Sequence, residues 1–423
     1  MLRFTDNLII QMTRKCNLNC KYCYEEHINP YGNKYISFED FKKLVDTTLY
    51  YRCILGRIEN NINFHFHGGE VLLLPWEELK KDIEYLMLRK QIFPGIDWCI
   101  QSNGLKITDE IAQYFAVRGK PFGLSFDGFT AKERMDERSN RIFIERLRYY
   151  HNTFGTRFSS ISVLTKDNIK NWFKDMQEVS DVMDTVGANI ICPVVGQEDL
   201  VPSLDDQWEY YYKPVLESLK SDNPIREREI SSVISSAIGQ IVFGLPNIEK
   251  TGCFNKLCGS GSNMTSASPN LTLGSCDKFI EKGPYRSLLK DYPLDNPDFL
   301  GLQQANRVIH FYSKMFKLFD NNHCESCPAT GICGGECQAY NISKTGDISL
   351  NSENCKLIKK VYKFIEDYWI DILQHTEVEV SGDIQAITPY ALSMLEQRGL
   401  SLKADYLSFN SARIKVIEGE TKI

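Results

Sequence analysis

Three cysteines near the start of the chain limit its fold and chemistry more than any other feature. Cys16, Cys20 and Cys23 have the spacing C-x3-C-x2-C, and they follow an apolar run at residues 8–10 that predicts a β-strand. Three thiolates on one short loop suit a [4Fe–4S] cluster with three protein ligands, which leaves one iron open to a substrate or cofactor. A zinc knuckle is the alternative, with His27 as its fourth ligand. The spacing therefore predicts a metal-binding loop at the end of a strand.

Length and composition indicate a folded protein of more than one domain. A chain of 423 residues with 43% hydrophobic content can bury a large core and allows two or three domains. The net charge of -6 and the isoelectric point of about 5.8 argue against a general nucleic-acid surface. Neither a run of about 18 apolar residues nor a signal-peptide core is seen, so we expect a cytoplasmic protein without nucleic-acid or membrane partners.

The fourteen cysteines predict metal sites rather than disulfides. A reducing cytosol keeps thiols free, and eleven of the fourteen lie in spaced groups. The other three, Cys53, Cys99 and Cys192, stand alone, and we interpret them as buried thiols.

The first half of the chain alternates strand and helix patterns. Strands are predicted at residues 7–13, 62–67, 96–101, 121–126, 158–165 and 188–195, and helices at 38–51, 76–88, 109–118, 141–152 and 169–186. Ser37 and Thr108, each followed by acidic residues, predict helix N-caps. Six βα units with right-handed crossovers predict an α/β fold whose parallel sheet curls into a partial (β/α)6 barrel, similar to a TIM barrel.

Polar motifs stand where the predicted strands end, which is the edge at which parallel barrels carry their active sites. These motifs are His67-Gly68-Gly69-Glu70, Gln101-Ser102-Asn103-Gly104 and Ser125-Phe126-Asp127-Gly128. Glycine lets the backbone approach a ligand closely, and the short polar side chains can bind a ribose or a carboxylate.

The cysteine loop and these motifs resemble those of the radical S-adenosylmethionine (SAM) enzymes. The resemblance implies that the open iron chelates the amino and carboxylate groups of the methionine moiety of SAM. It also implies that one electron from the cluster cleaves the sulfonium to give a 5′-deoxyadenosyl radical. An electron donor such as flavodoxin or ferredoxin is implied as a partner.

The resemblance also assigns roles to residues in the matching motifs. Gly68, Gly69 and Glu70 match the family's GGE motif, whose backbone meets the methionine amino group, and Tyr22 matches an aromatic residue that lies against the adenine. Four residues match the motifs that bind the ribose and the methionine carboxylate, namely Ser102, Asn103, Ser125 and Asp127. Arg138 corresponds to a carboxylate-binding arginine, although the local sequence departs from the common pattern and Arg141 is close. Leu164 is an adenine contact by analogy, with a core leucine as the alternative.

A second group of cysteines fills the C-terminal half. Cys324, Cys327, Cys333 and Cys337 have the spacing C-x2-C-x5-C-x3-C. With Cys253, Cys258, Cys276 and Cys355 they resemble the SPASM domain, which holds two auxiliary [4Fe–4S] clusters in radical SAM enzymes that act on peptides and proteins. The resemblance assigns Cys253, Cys258, Cys276 and Cys337 to one cluster, and Cys324, Cys327, Cys333 and Cys355 to the other. A zinc ribbon over residues 324–337 is the alternative from the spacing alone.

The chain departs from the SPASM pattern at one place. The family has a glycine five residues before the cysteine equivalent to Cys276, and here that place is Leu271, after Pro269-Asn270. The hairpin turn is therefore expected to shift, while all eight thiolates remain. Asp277 matches an aspartate that takes the substrate proton in anaerobic sulfatase maturases; a turn or N-cap role is the alternative.

The implied reaction is a net two-electron oxidation of a peptide or protein side chain, in which auxiliary clusters accept an electron or bind substrate. We expect a thioether or carbon–carbon cross-link in a ribosomally made peptide. Formylglycine generation, as in anaerobic sulfatase maturases, is the alternative reaction. A non-catalytic, metal-stabilised scaffold that binds a peptide is the alternative of another class.

Four segments are predicted along the chain. They are a radical SAM partial barrel at 1–220, a helical linker at 221–250, a SPASM domain at 251–360, and a C-terminal helix and tail at 361–423. Helices are predicted near 208–220, 231–244 and 356–375, and the residues from Val378 onward carry no motif. Because the first strand begins within ten residues of Met1, a leader peptide is expected to bind the barrel rim, the cluster domain or the C-terminal segment.

Overall fold

The computed structural model describes most of the chain, which divides into two compact units. The described residues are 6–24, 34–57, 60–193, 196–221, 227–244, 264–274, 276–279, 292–293, 326–333, 337, 339–341, 353–381, 387–408 and 411–418. The first unit comprises Met1–Val201 with Gly259–Ser313, and the second comprises Pro202–Cys258 with Lys314–Ile423. The predicted cluster ligands Cys253, Cys258 and Cys324, and the alternative zinc ligand His27, lie outside the described residues.

The first unit alternates strands with helices. Its strands are β1 (Asn7–Thr13), β2 (Ile62–Gly68), β3 (Ile96–Ser102), β4 (Phe122–Ser125), β5 (Phe158–Leu164) and β6 (Met183–Ile190). Its helices are α1 (Phe38–Ile54), α2 (Trp76–Lys90), α3 (Asp109–Val117), α4 (Glu137–Phe154) and α5 (Trp172–Glu178). Three short strands follow much later in the chain, β7 (Met264–Ala267), β8 (Thr272–Gly274) and β9 (Tyr292–Pro293).

These strands form one sheet in the order β6-β5-β4-β3-β2-β1-β7-β8-β9. The strands from β6 to β1 pair in parallel; Leu8 lies opposite Phe64, for example, and Phe64 opposite Trp98. β7 also runs parallel to β1, while β8 and β9 are antiparallel additions. The six parallel βα strands confirm the expected α/β fold, and their carboxyl ends meet at one edge of the sheet.

Alternate side chains of the parallel strands have different surroundings. Leu8 and Ile10 of β1 and Phe64 and Phe66 of β2 are fully buried, and the rings of Phe66 and Trp98 meet edge to face with centroids 6.2 Å apart. The opposite row of the strands carries polar side chains, which include Gln11, His65, His67, Gln101 and Ser125. This row leaves a polar inner face below the strand ends.

The predicted N-caps of α1 and α3 are confirmed. The Ser37 side chain accepts a hydrogen bond from the Asp40 N–H, and the Thr108 side chain accepts one from the Ile111 N–H. Each cap satisfies a backbone donor that has no partner inside its helix. Asp136 caps α4 in the same way, although the sequence analysis placed the start of that helix four residues later.

The prediction of one long helix over residues 169–186 is wrong. α5 covers only Trp172–Glu178, and β6 begins at Met183 rather than at residue 188. The amides of Val182 and Met183 both bond back to the Val179 carbonyl in a tight turn. Non-local pairing explains the difference: Met183 lies opposite Phe158, so β6 covers the edge of β5 from its first residue.

The hairpin between β7 and β8 carries an unusual backbone conformation. Leu271 has a φ of 61°, and it is the one non-glycine residue in the described ranges with a positive φ. This left-handed conformation favours glycine, because a Cβ there crowds the carbonyl that follows. The position at which the SPASM pattern has glycine thus keeps a glycine-like backbone, so the expected shift of the turn is not needed.

The second unit combines helices with a small antiparallel sheet. Its helices are α6 (Leu204–Ser221), α7 (Arg228–Phe243), α8 (Thr330–Cys333), α9 (Asn354–His375) and α10 (Pro389–Gln397). Strands β10 (Val378–Ser381), β11 (Leu400–Ser408) and β12 (Ser411–Glu418) lie in the order β10-β12-β11. The helices predicted near 208–220, 231–244 and 356–375 are confirmed, whereas the C-terminal sheet was not predicted. The segment boundaries proposed from the sequence stay predictions.

None of the helices in the described ranges is long and apolar enough to cross a membrane.

Candidate active site at the strand ends

The cysteine loop begins directly after β1. Cys16 is exposed, and Cys20 and Cys23 are half-buried. The Leu18 N–H lies 3.4 Å from the Cys16 sulfur, and the Cys23 N–H donates to the Cys20 carbonyl at 2.9 Å. The loop is therefore held in compact turns by its own hydrogen bonds.

The three thiols influence one another electrostatically. Burial raises the pKa of Cys20 to about 12, and the charges of Asp127, Cys23 and Cys16 add to this shift while Arg134 opposes it. Partial desolvation of its sulfur, together with the charge of Glu70, also raises the pKa of Cys16, although the residue as a whole is exposed. Thiolates so placed need a cationic partner, and a cuboidal cluster with three cysteine ligands is a donor set that these residues fit. No three His, Cys, Asp or Glu side chains in the described part of the chain converge on a single-ion site.

Gly68 and Gly69 join the end of β2 to the start of the cysteine loop. Gly68 has a φ of 126°, and a Cβ there would lie 2.3 Å from the Thr13 carbonyl oxygen. A Cβ on Gly69 would lie 2.4 Å from the Lys15 carbonyl oxygen, and the Gly69 N–H donates to the Thr13 carbonyl at 2.7 Å. The two glycines thus allow the backbones of two strand ends to touch, which is a structural reason for this sequence beside the predicted contact with SAM.

Glu70 is a buried carboxylate that connects two of the strand-end motifs by hydrogen bonds. Its side chain is 1% exposed, and its carboxylate accepts hydrogen bonds from the Ser102 hydroxyl at 2.7 Å, the Asn103 N–H at 2.7 Å and the Leu72 N–H at 2.9 Å. Burial raises the pKa of Glu70, and these three donors act against that shift. Glu70 therefore fixes the end of β3 relative to the end of β2 through charge-assisted hydrogen bonds.

Asn103 extends this network to the cysteine loop. Its side-chain amide donates to the Asn17 side-chain carbonyl at 2.7 Å, between Cys16 and Cys20. Its backbone carbonyl accepts from Arg134 at 3.1 Å. Asn103 thus connects the cysteine loop and Arg134 in one hydrogen-bonded network.

Asp127 anchors the aromatic residue of the cysteine loop. The Tyr22 hydroxyl donates to one oxygen of the Asp127 carboxylate, and the Val163 N–H donates to the other at 2.7 Å. Burial raises the pKa of Asp127, opposed by the charge of Arg134 and by the hydrogen bond from Tyr22. The pKa of Tyr22 is raised well above its usual value by burial and by Asp127. Tyr22 therefore stays a neutral donor, and its position against an adenine stays a prediction.

Arg134 is a functional candidate that the sequence analysis missed. It is 8% exposed, and its Nη1 atom has no hydrogen-bond partner among the described residues. Its charge influences Cys20, Tyr22, Asp127 and Glu70. Arg138, the predicted carboxylate ligand, is exposed in the first turn of α4. The sequence contains an indication of this role, because Arg134 is the first arginine after the Ser125–Gly128 motif.

Ser125 and Leu164 lie at the ends of β4 and β5. The Ser125 hydroxyl accepts a hydrogen bond from the Gln101 side chain at 2.9 Å. Leu164 is fully buried, and its carbonyl accepts from the Ile191 N–H at 3.0 Å. Both residues sit at the predicted edge, and their contacts with SAM stay predictions.

Asp277 meets the cysteine loop within the first unit. It opens a short 3-10 helix after β8, and the Tyr24 hydroxyl donates to its carboxylate. The Lys278 ammonium lies 4.8 Å from the centroid of the Tyr24 ring. Burial lowers the pKa of His67, and the charge of Asp277 opposes this shift. The aspartate is thus placed beside the polar inner face rather than on the outer surface.

The described cysteines of the second group lie in both units. Cys276 is buried in the first unit. In the second unit, Cys333 ends α8, Cys355 is the second residue of α9, and α8 packs against α7 and α9. The charge of Cys327 contributes to the raised pKa of Tyr362 on α9, which burial raises to about 12. Cys327 and Cys355 therefore lie near the same helix, and Cys337 is exposed.

Comparisons with known proteins agree with this arrangement. Residues 10–179 match the family model described as Radical SAM superfamily. The chain is similar to the serine-type anaerobic sulfatase-maturating enzyme of Bacteroides thetaiotaomicron, at 22% identity over 78% of this chain and 82% of that protein. It is also similar to the radical SAM cyclopropyl synthase TigE of Paramaledivibacter caminithermalis, at 23% identity over 82% of this chain and 71% of that protein.

Solved structures show the same fold. Native anSMEcpe with bound AdoMet matches with a TM-score of 0.67 and 18% identity, over 86% of this chain and 98% of that chain. Streptococcus suis SuiB bound to S-adenosylmethionine matches with a TM-score of 0.57 and 14% identity, over 84% of this chain and 77% of that chain. Residues 10–179 of this chain are therefore a radical SAM domain, the domain of enzymes that use SAM and a [4Fe–4S] cluster.

Proposed function

We propose that this protein is a SAM-dependent radical oxidase that forms a thioether or carbon–carbon cross-link in a ribosomally made peptide. The observation that carries the proposal is the buried network of Glu70, Asn103 and the Tyr22–Asp127 pair, which joins the cysteine loop to three strand-end motifs. A scaffold that only binds peptides has no need for such a connected edge around an open iron. SuiB, which has the same fold, is also known bound to a precursor peptide, SuiA.

The cofactor and the protein have separate tasks in this reaction. When bound, the cluster and SAM supply a 5′-deoxyadenosyl radical that removes a hydrogen atom from a C–H bond. Cys16, Cys20 and Cys23 would hold the cluster. Arg134, whose Nη1 atom has no hydrogen-bond partner among the described residues, would bind a carboxylate at this edge. The strand-end motifs would make the contacts with SAM that the sequence predicts.

Completion of the oxidation requires an electron acceptor and a proton acceptor. Two auxiliary [4Fe–4S] clusters held by the eight remaining grouped cysteines would take the electron. Cys276 would bring one of them next to Asp277, whose carboxylate would take the proton. The loss of one hydrogen atom, one electron and one proton balances the removal of two hydrogens from the substrate.

Formylglycine generation is the second candidate reaction. The hydrogen bond between Tyr24 and Asp277, which orients the carboxylate beside the polar inner face, suits this reaction as well as the cross-link. The B. thetaiotaomicron relative is named as a serine-type sulfatase-maturating enzyme. Both reactions use Asp277 as a base, so the product distinguishes them.

The radical step is tested with purified, anaerobically reconstituted protein, SAM and dithionite. We expect 5′-deoxyadenosine from the wild-type chain and none from a Cys16→Ala/Cys20→Ala/Cys23→Ala variant. A Cys53→Ala variant, which changes a cysteine outside the groups, is the matched control and should keep full production. Undiminished 5′-deoxyadenosine from the triple variant would refute the assignment of the loop.

The product is tested by co-expression with short peptides encoded beside the gene, followed by mass spectrometry. A cross-link lowers the peptide mass by two hydrogens and leaves no aldehyde, whereas formylglycine reacts with a hydrazide probe. Asp277→Asn should keep SAM cleavage but lose product. Hydrazide labelling of a peptide or a sulfatase would replace the cross-link proposal with the formylglycine one.

A further inference from the structure

Four aromatic side chains form a partly exposed strip on the second unit. Trp208 and Tyr212 are one turn apart on α6, and Phe364 and Tyr368 are one turn apart on α9. The ring centroids of Trp208 and Phe364 are 5.6 Å apart, and those of Phe364 and Tyr368 are 4.9 Å apart. Tyr368 is 40% exposed, and the other three rings are half-buried. This aromatic strip crosses two packed helices.

Three exposed lysines adjoin the aromatic strip. Lys356, Lys359 and Lys360 lie in the N-terminal half of α9, and we call them the lysine cluster. The Lys360 ammonium lies 4.3 Å from the centroid of the Trp208 ring. The spacing of four along α9 places one row of side chains on a single face, namely Lys356, Lys360, Phe364 and Tyr368. The charged and aromatic surfaces are therefore continuous.

Lys356, one member of the lysine cluster, opposes the stability of its own helix because it lies in the first turn. α9 has no acidic residue in its first turn, and cations near a helix N-terminus are unfavourable to the macrodipole. Lys363 has ion-pair partners, at 2.9 Å from Glu366 and 2.8 Å from Asp367. The described residues supply no such partner for the lysine cluster. The lysine cluster thus carries positive charge that no residue in the described ranges pairs by an ion pair, in a chain whose net charge is -6.

We propose that the aromatic strip and the lysine cluster bind an acidic segment of the peptide substrate, away from the residue that is modified. The identity of this ligand rests on the proposed function. Acidic side chains would pair with the lysines, while apolar side chains would pack on the rings, where binding energy concentrates. Seven residues make a surface far smaller than the roughly 20–30 residues a side of a stable interface between folded proteins, so a short segment fits it better.

The probe is a fluorescein-labelled synthetic peptide of repeating Glu-Glu-Leu-Phe, compared with the same peptide carrying Gln in place of Glu. Fluorescence anisotropy with the full chain at low salt should show binding of the Glu peptide, and at least about tenfold weaker binding of the Gln peptide. Lys356→Glu/Lys360→Glu should weaken binding of the Glu peptide by at least about tenfold as well. Lys106→Glu/Lys174→Glu, which reverses two exposed lysines of the first unit, should leave it unchanged.

Production of 5′-deoxyadenosine without peptide reports independently on the folded enzyme. A chain that makes it but binds neither peptide, or binds both equally, overturns this inference and leaves the proposed function standing. A chain that binds the Glu peptide as expected but makes no 5′-deoxyadenosine refutes the proposed function and supports the docking surface. If Lys356→Glu/Lys360→Glu lowers bound iron with unchanged peptide affinity, the lysines serve an auxiliary cluster and the inference is wrong.

Discussion

At the scale of single residues, Arg134 and Arg138 have opposite surroundings although they are four positions apart. Arg134 is buried beside Asn103 and senses the charge of Asp127, whereas Arg138 projects from the exposed first turn of α4. Burying a guanidinium costs free energy unless a counter-charge compensates it. The charges of Glu70 and Asp127, on which Arg134 acts, therefore compensate the burial of its guanidinium.

We expect Arg134→Gln to reduce SAM binding and 5′-deoxyadenosine production. The loss should be about 1–3 kcal/mol, or roughly five- to 150-fold in affinity, because a charged hydrogen-bond donor is removed from a buried network. Isothermal titration with SAM on the reconstituted protein measures it. Arg138→Gln is the matched control and should bind SAM as the wild type does; the reverse ranking would restore Arg138 as the carboxylate ligand.

At the scale of elements, the contact between the ends of β1 and β2 depends on Gly68. We expect Gly68→Ala to abolish SAM cleavage and to destabilise the first unit, because its Cβ would overlap the Thr13 carbonyl and its φ of 126° is not accessible to alanine. Gly119→Ala is the control, since Gly119 also has a positive φ but nothing within 4 Å of the added Cβ. That variant should lose only about 1 kcal/mol in thermal or urea unfolding and keep SAM cleavage.

α2 carries a buried carboxyl that links stability to pH. Asp82 is 2% exposed, its Oδ1 has no hydrogen-bond partner in the described structure, and burial raises its pKa to about 8, with Glu78 adding and Lys81 opposing. In the unfolded chain this carboxyl titrates at about pH 4. Between about pH 4 and 8 the folded state therefore binds one proton that the unfolded state has lost. Stability from this group is therefore fully present at low pH and is lost as pH rises.

We expect Asp82→Asn to raise the melting temperature relative to the wild type more at pH 8.5 than at pH 5, because the amide cannot ionise. Circular dichroism melts at both pH values measure the difference. Asp97→Asn, in which an exposed carboxyl paired with Lys120 is changed, is the control. If the melting temperatures of Asp82→Asn and the wild type differ by the same amount at both pH values, Asp82 is not protonated in the folded protein.

Features that depend on neighbouring residues were predicted well from the sequence. Features that depend on contacts between distant parts of the chain were predicted less well. The caps Ser37 and Thr108 act through neighbouring amides, so the sequence alone locates them. The start of β6 depends on pairing with Phe158, and the approach of Arg134 to Asn103 depends on the path of the loop after Gly128. A local sequence pattern contains neither the pairing nor the path. The C-terminal sheet had a readable signal in the alternating buried residues Ala412, Ile414 and Val416, which favours a strand.

Leu271 shows how two local effects compete within one hairpin. Its left-handed backbone costs about 1–2 kcal/mol for a residue with a Cβ. Its side chain is 8% exposed, and burial of a leucine contributes about 1.5–3 kcal/mol. The free energy gained from burial is thus of the same size as the backbone cost and offsets it, so a leucine can occupy the position at which the SPASM pattern has glycine.

At the scale of the whole molecule, the cysteine count sets the metal content. Eleven grouped cysteines fit three [4Fe–4S] clusters, so we expect about twelve irons per chain after anaerobic reconstitution. The Cys16→Ala/Cys20→Ala/Cys23→Ala variant should retain about eight. Iron and sulfide assays with elemental analysis measure both, and roughly four irons accompanied by tightly bound zinc would contradict the auxiliary clusters.

The place of β7 in the sheet has a consequence for biosynthesis. β7 pairs with the edge of β1, although Met264 leaves the ribosome about 240 residues after Cys23. At a translation rate of about 5–20 residues per second, the edge of β1 waits roughly 10–50 s for this neighbour. During that interval the nascent chain exposes an unpaired strand edge next to the three cysteines of the loop, so cluster insertion and chaperone protection have to act on an incomplete barrel or wait for release.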